Sequence, residues 1–424
     1  MLSKSKDLDK FTKCDVFTPE KISIMMAQKL KSNGTLLEPS VGDGALLKHI
    51  DLSKYSNIDV YELKEAYLDS VEERENLRKH CDDFLKSIQN EKEKYDNIIM
   101  NPPYIKIQDL TPDYRSFIRE EFPELSGGMV DIYYAFIIKC IEMLNDNGVM
   151  VSITPNSFLY NKSAKKLRKY LIDGKYLQEI IDFKTEKVFP GISVYCCVCV
   201  FTKTPKTHFT YNNEKIDYED VDNIDYNIFG KKQTSNSNSN MTLKDMCKIS
   251  NGIATLRDKI YIHTKRLYNE PCWQVVTDAK KQKHIIYPYQ DGKIIPEDEF
   301  KQQNPKTYAY LEKNKAELAK RDKGNKKYAT WYAYGRRQSI IKPKAKRVIY
   351  IPTFINPTDY TMVISSEPSL YQGCLCIEPI NDTNTEKIYE TIQKNMEYIE
   401  KITSKRSGGW ITLSSRNLNE IEWN

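Results

Sequence analysis

Asn101-Pro102-Pro103-Tyr104 follows directly on the apolar run Asn97-Ile98-Ile99-Met100. Taken alone, Asn-Pro marks a turn. At the carboxyl end of a buried strand, the same four residues put an amide oxygen, stiff backbone carbonyls and an aromatic face in one small area. Methylating an exocyclic amine on a base requires such a set. The amine lone pair is delocalised into the ring, so the nitrogen is a poor nucleophile. Two acceptors, the Asn101 side-chain oxygen and the Pro102 carbonyl, can bond both amine hydrogens and draw the nitrogen towards tetrahedral geometry. Tyr104 can stack on the ring. A base inside a duplex must be flipped out to reach such a pocket, at a cost of roughly a few kcal/mol.

A second constellation is Leu37-Glu38-Pro39-Ser40-Val41-Gly42-Asp43-Gly44-Ala45-Leu46-Leu47. Gly-x-Gly recurs in many turns. Here it follows a strand and is expected to open a helix, so that the glycines let a ligand approach the backbone and the helix N-terminus favours anionic groups. Glu62 ends the next strand, where an acidic side chain can accept ribose hydroxyls. Asp82-Asp83-Phe84 follows at the expected third strand end; a carboxylate there can accept from an adenine amino group while Phe84 packs on the ring. Together these residues make a nucleoside site beside the Asn101 pocket. Leu47 stands where the dinucleotide fingerprint has its third glycine, which weakens a nicotinamide-dinucleotide reading.

Elements that could position these residues alternate through the first half. Strands are expected at Thr35–Glu38, Ile58–Glu62, Asn97–Met100, Val149–Thr154, Leu177–Phe183 and Val194–Phe201, and helices at Ala45–Ile50, Lys64–His80, Asp131–Leu144 and Ala164–Leu171. This βα alternation predicts an α/β fold, a mostly parallel sheet covered by helices on both faces. Ligands in such sheets sit at the carboxyl ends of the strands. The polar run Gln233–Asn240 reads as a linker. Beyond it come short, aromatic-rich strands and a helical stretch at Glu386–Ile402. The expected domains are 1–234 and 235–424.

On these motifs the sequence resembles the gamma-class, amino-group DNA methyltransferases, close to the adenine methyltransferase of the Taq restriction–modification system, over most of the chain. Leu37–Leu47 resembles the family's cofactor loop, Glu62 its ribose acceptor, Asp83-Phe84 its adenine contact and Asn101–Tyr104 its catalytic motif. Phe17-Thr18-Pro19-Glu20 resembles the segment that closes over the methionine end of S-adenosylmethionine. Asp131–Phe136 and Val149–Phe158 resemble the next core segments. Val188-Phe189-Pro190-Gly191 resembles the loop whose Phe stacks on the other face of a flipped adenine; the alternative for Phe189 is an ordinary core aromatic before a strand. Leu46 departs from the family's usual Phe.

The resemblance implies a Rossmann-like class I methyltransferase sheet followed by a C-terminal α+β target-recognition domain. It also implies direct methyl transfer from S-adenosylmethionine to adenine N6 in duplex DNA. Asn101, Pro102, Pro103, Tyr104 and Phe189 then form the catalytic set. Thr18, Glu38, Pro39, Ser40, Gly42, Asp43, Gly44, Glu62, Asp83, Phe84 and Asn101 hold the cofactor, and no metal is needed.

Charge separates the two halves. Residues 1–230 carry 31 Lys/Arg against 37 Asp/Glu, a net −6; residues 231–424 carry 33 against 21, a net +12. A basic second half suggests a polyanion partner, nucleic acid first among them. Lys162, Lys165 and Lys166 begin a basic cluster near the expected pocket and are assigned to phosphates, although such a cluster most often marks a solvated face. Residues 320–347 carry eleven Lys/Arg and one Asp, interleaved with aromatics. From that segment Trp331, Tyr334, Arg336, Arg337 and Lys344 are assigned to duplex DNA. Trp410 and Arg416 join them from Ser407–Trp410 and Ser414–Arg416, which resemble a late element of the family's recognition domain.

Other classes fare worse. The ten cysteines and five histidines form no metal pattern; Cys196 and Cys199 sit in an apolar strand with successive side chains on opposite faces. Free thiols in a reducing compartment are expected. Mean hydropathy is −0.61, no run approaches the roughly 20 apolar residues of a membrane span, and Met1–Asp7 has no signal-peptide character. The expected setting is cytoplasmic, in a bacterium or for a virus-encoded protein inside its host. The same chemistry on RNA, cytosine N4 or protein glutamine is the nearest rival; protein-glutamine enzymes generally lack a large basic C-terminal domain. A fused nuclease finds no room in the 17 residues before Thr18, and Glu299-Phe300-Lys301 has no convincing partner Asp. An idle DNA-binding module has no need of Asn101–Tyr104. A monomer without an obligate protein partner is expected, with a cognate restriction endonuclease as a possible companion.

Overall fold

The computed structural model describes residues 16–87, 93–125, 130–192, 194–222, 226–229, 241–324, 327–381, 384–403 and 409–423. The chain divides into two compact units, Met1–Ser235 and Asn236–Asn424. The expected linker and Ser407-Gly408 lie outside the described residues. Among the described residues no helix is long and apolar enough to cross a membrane.

The first unit is built on one nine-stranded sheet. Its strands are β1 (Gly34–Glu38), β2 (Tyr55–Glu62), β3 (Leu77–Cys81), β4 (Tyr95–Met100), β5 (Leu144–Pro155), β6 (Leu177–Asp182), β7 (Cys196–Thr202), β8 (His208–Tyr211) and β9 (Glu214–Asp217). They lie in the order β3-β2-β1-β4-β5-β7-β6-β8-β9. β1 to β5 pair in parallel, and β7 runs antiparallel between β5 and β6. This is a Rossmann-like sheet, parallel from β1 to β5 with one antiparallel insertion.

Strands covered on both faces read as continuous apolar runs, and alternate residues sort to opposite sides. Leu37, Ile98 and Met100 join one core with the helix Tyr133–Glu142. Leu36, Ile99 and Val60 join the other, with Ile22 and Met26 of the helix Glu20–Ala27. Cys196, Cys197 and Cys199 are buried along β7.

Two expected helices are corrected. Ala45–Ile50 forms turns and a short 3-10 helix at Leu47–His49. Gly44 takes φ +75°, and the Asp43 carboxylate accepts the Ala45 N–H at 3.0 Å, so the chain turns where helical bonding would start. Lys64–His80 yields only the helix Glu65–Leu68 before β3 begins at Leu77. Arg78 and His80, two residues apart and on one face, both reach the buried Asp59 carboxylate on β2. That period-two pattern is a strand signature hidden among charged residues.

The second unit is α+β. One sheet has Cys247–Asn251, Cys374–Pro379, Val348–Pro352 and Val363–Ser365 in that spatial order; another has Ile262–His263, Gln282–Ile286, Trp273–Thr277 and Leu370–Tyr371. The helices Glu297–Gln303, Pro305–Lys313, Thr385–Lys394 and Met396–Ile402 accompany them.

Candidate active site

Chain direction fixes where a ligand can sit. From β1 the chain moves outward to β2 and β3, then returns to place β4 on the other side of β1. The loops leaving β1 and β4 therefore diverge and open a crevice at the carboxyl edge. Glu38 ends β1 and Asn101 follows β4, so both constellations found in the sequence meet there. The cleft is lined by Thr18, Glu38 to Asp43, Glu62, Asp83, Phe84 and Asn101 to Tyr104, and encloses about 890 Å³ including its open mouth.

Glu62 organises the glycine loop. One carboxylate oxygen accepts the Gly42 N–H at 3.0 Å, and the other accepts those of Leu63 and Lys64 at 2.8 and 3.1 Å. Gly42 and Gly44 both have positive φ, +52° and +75°, where a side chain would strain the backbone. The loop therefore spends an amide on a protein carboxylate, and a 3-10 turn replaces the anion-favouring helix start.

Glu38 is 1% exposed, and its Oε2 has no hydrogen-bond partner. Burial pushes its carboxyl well above the ordinary range, and the charges of Asp43 and Glu62 add to the shift. An unpaired buried carboxyl among acidic neighbours suits a cationic ligand group. Asp83 is also raised by burial, although the Tyr114 hydroxyl donates to it at 2.9 Å. Phe84 packs edge-on to Tyr61 and stacks on Phe136, at 5.3 and 5.5 Å between ring centroids.

The catalytic candidate is held from two sides. The Asn101 side-chain N–H groups donate to Val16 O at 2.9 Å and Thr18 Oγ1 at 3.1 Å. Tyr104 Oη donates to Asn101 Oδ1 at 2.8 Å and lies 3.1 Å from Ile153 O. Ser40 Oγ donates to the Asn101 carbonyl at 3.0 Å, tying the glycine loop to the Asn-Pro-Pro-Tyr segment. Sequence reasoning missed Tyr114 and Phe136, which support Asp83 and Phe84 from neighbouring helices. An aromatic on an amphipathic helix carries no mark distinguishing the cleft from the core.

Phe189 is a correction. It is 1% exposed, within the apolar core containing Ile99, Val151, Cys196 and Val198, and is not among the residues lining the cleft. In this conformation it is the ordinary core aromatic.

The proposed DNA contacts divide the same way. Lys162 and Lys166 are exposed and Lys165 half-buried, at the start of the helix Lys165–Asp173. Arg168 on that helix is buried and donates to the carbonyls of Phe158, Asn161 and Tyr226. In the second unit Tyr334 is corrected: it is 1% exposed, and its hydroxyl donates to Ile286 O at 2.6 Å, inside the core. Trp331 is half-buried and donates its indole N–H to Glu297. Arg336 is exposed and doubly bonded to Asp322, at 2.6 and 2.8 Å. Arg337 and Lys344 are exposed. Trp410 stacks on Phe354 at 5.0 Å, and Arg416 pairs with Glu420 one helical turn on.

Comparison with known proteins bears on this arrangement. The family model described as Eco57I restriction-modification methylase matches residues 20–189. The chain is similar to the type II restriction enzyme and methyltransferase RM.Eco57I of Escherichia coli, 25% identical over 311 residues, covering 58% of this chain and 31% of that one. It is similar to the type II methyltransferase M.HincII of Haemophilus influenzae, 32% identical over 181 residues, covering 42% and 34%. It therefore spans about a third of the length of these relatives. Among solved structures, a nuclease-deletion mutant of the Type ISP restriction-modification enzyme LlaGI, in complex with a DNA substrate mimic, shares the fold. Its TM-score is 0.52 at 12% identity, over 89% of this chain and 44% of that one. Over residues 20–189, which hold most of the cleft, the chain is similar to the Eco57I restriction-modification methylase family.

Proposed function

We propose that the protein is a site-specific DNA methyltransferase that modifies the N6 amine of a flipped-out adenine in duplex DNA, with S-adenosylmethionine as methyl donor. The observation that carries this reading is the meeting of two sites in one cleft. A cleft whose buried Glu38 has a carboxylate oxygen without a hydrogen-bond partner is lined on its other side by Asn101–Tyr104. When bound, S-adenosylmethionine supplies a methyl group on a positively charged sulfonium. The residues present fit it: Glu38 for a cationic group, Glu62 for ribose hydroxyls, Asp83 and Phe84 for the adenine, and Thr18, Pro39, Ser40, Gly42, Asp43 and Gly44 for the enclosing loops. The turned glycine loop, with its Gly42 amide on Glu62, suits a ligand without phosphates better than a dinucleotide.

The chain's own groups then position the target. Asn101 Oδ1 and the Pro102 carbonyl accept the two amine hydrogens, while Pro103 stiffens the turn and the Tyr104 ring stacks on the base. This supplies proximity and electrostatic stabilisation without a covalent intermediate. Val16 and Thr18 hold the Asn101 amide so that its oxygen is presented as the acceptor. The basic second unit acts as the target-recognition domain. Its exposed Arg337 and Lys344 contact the duplex, together with Lys162, Lys165 and Lys166 of the first unit. We place the protein in the cytoplasm as a monomer, in the company of a cognate restriction endonuclease.

The test is transfer of radiolabelled methyl from S-adenosylmethionine to duplex DNA, followed by digestion to nucleosides. Label in N6-methyldeoxyadenosine is expected. Label in N4-methyldeoxycytidine, or acceptance only by RNA or protein glutamine, overturns the substrate assignment.

A further inference from the structure

The second unit has an open groove that the sequence did not point to. Its walls are the segment Asn251–Lys259, Gln338, Thr353 and the turn Gln372–Cys374. Its lining is strained: Leu256, a branched aliphatic residue, sits at φ +60°, a region that side chains other than Asn and Asp rarely enter.

Neighbouring groups over-determine that conformation. Thr255 is fully buried; its Oγ1 accepts the Arg257 N–H at 3.0 Å and donates to Asp258. Its carbonyl accepts the Gly335 N–H at 3.0 Å, and the Ala254 carbonyl accepts that of Arg336 at 3.0 Å. A Cβ on Gly335 would stand 2.3 Å from Leu256 Cγ, and one on Gly252 would stand 2.9 Å from Gln372 Cα and Tyr371 O. Two chain segments, Gly335-Arg336 and Tyr371-Gln372, thus close on one strained loop at distances only glycine permits. Strain that the surroundings maintain clusters at binding and catalytic sites.

The groove also has chemistry. Lys259 lines it, with Asp258, which accepts from Gln372 Nε2 at 2.8 Å, and Arg257, whose guanidinium donates to Leu256 O and Glu317 O; the exposed Arg337 immediately precedes Gln338. Gln338 Nε2 donates one N–H to Gly252 O at 2.6 Å. This bond fixes which way the amide faces and leaves a second N–H and the carbonyl oxygen to offer. One donor and one acceptor side by side form the pair with which Gln meets adenine N7 and N6 in the major groove. Cations alongside suit the flanking phosphates. The +12 charge of residues 231–424 favours the same polyanion.

We propose that this groove is where the second unit reads its duplex, with Gln338 as a specificity-determining side chain and Lys259 as a phosphate contact. This rests on the reading of the chain as a DNA methyltransferase, and it names the surface and the residue that select the site.

The experiment uses the full chain and a duplex oligonucleotide carrying the site found by modified-base sequencing, beside single-substituted variants of that site. Gln338→Ala should raise KM for the cognate duplex roughly tenfold, leave kcat within about twofold, and relax discrimination at one base pair of the site. Lys259→Ala should weaken binding to all duplexes alike and lower the salt slope of log K by about one. An unchanged melting temperature and unchanged S-adenosylmethionine binding separate these effects from misfolding. If the wild type methylates its site while both variants keep wild-type KM, site preference and salt slope, the groove assignment falls and the methyltransferase reading stands. If the wild type methylates no duplex at all, that reading falls and takes the groove with it.

Discussion

The Tyr104 hydroxyl donates to Asn101 Oδ1 at 2.8 Å, the oxygen that the proposed chemistry needs for an incoming amine. An amide oxygen has two acceptor positions, and this bond occupies one. The incoming amine takes the other, so the phenol and amine donors compete for the electron density of the same atom. Tyr104→Phe, which keeps the ring and removes the competing donor, should hold kcat within a few-fold of wild type. Tyr104→Ala should lower kcat/KM by roughly one to two orders of magnitude, the worth of one base–aromatic stack. Asn101→Ala should abolish transfer while S-adenosylmethionine binding, read by calorimetry, largely survives. Equal damage from Phe and Ala at position 104 contradicts the stacking role.

Phe189 gives the opposite expectation. Because it is packed in the apolar core, Phe189→Ala should cost about 3–5 kcal/mol of stability through the cavity it leaves. Thermal melting checks this. A variant that melts like the wild type but loses activity would restore the stacking role that the family resemblance implies.

Glu38 makes cofactor binding pH-dependent. Its carboxyl is raised in the folded, cofactor-free protein, so folding takes up a proton there. The sign follows: its contribution to stability is full below the ordinary carboxylate range, near 4.3, and is lost as pH rises through the raised folded value. A cationic group bound beside it expels that proton. Calorimetry in buffers of different ionisation enthalpy should record proton release on S-adenosylmethionine binding, and Glu38→Gln should abolish the release and weaken binding. Binding without proton exchange in the wild type contradicts this account.

In the second unit, two residues sharing one sequence signal should behave differently. Arg337→Ala should leave melting unchanged, weaken duplex binding and reduce the salt slope by about one. Tyr334→Ala should destabilise the unit by about 3–5 kcal/mol, as expected for a large buried aromatic. Reversed results would mean that the exposed and core faces of this segment had been exchanged.

Much of the first unit was legible because parallel strands buried on both faces announce themselves as apolar runs. The residues that end them, Glu38, Glu62 and Asn101, fall at the edge where chain direction opens a crevice. What stayed hidden has physical causes. β3 escaped notice because Arg78 and His80 face a buried Asp59, so its alternating positions are charged. Ala45–Ile50 read as a helix because the turn that precedes it is set by the Asp43 and Glu62 carboxylates, the second about 20 residues away. Tyr334 and Arg337 share one basic, aromatic stretch, and composition cannot say which side chain turns inward.

The central claim is tested most directly by modified-base sequencing of DNA from a host expressing the protein, beside a host expressing Asn101→Ala. The account predicts N6-methyladenine at one recurring sequence in the first host and none in the second. Unmodified adenine in the first host, or equal modification in both, contradicts it.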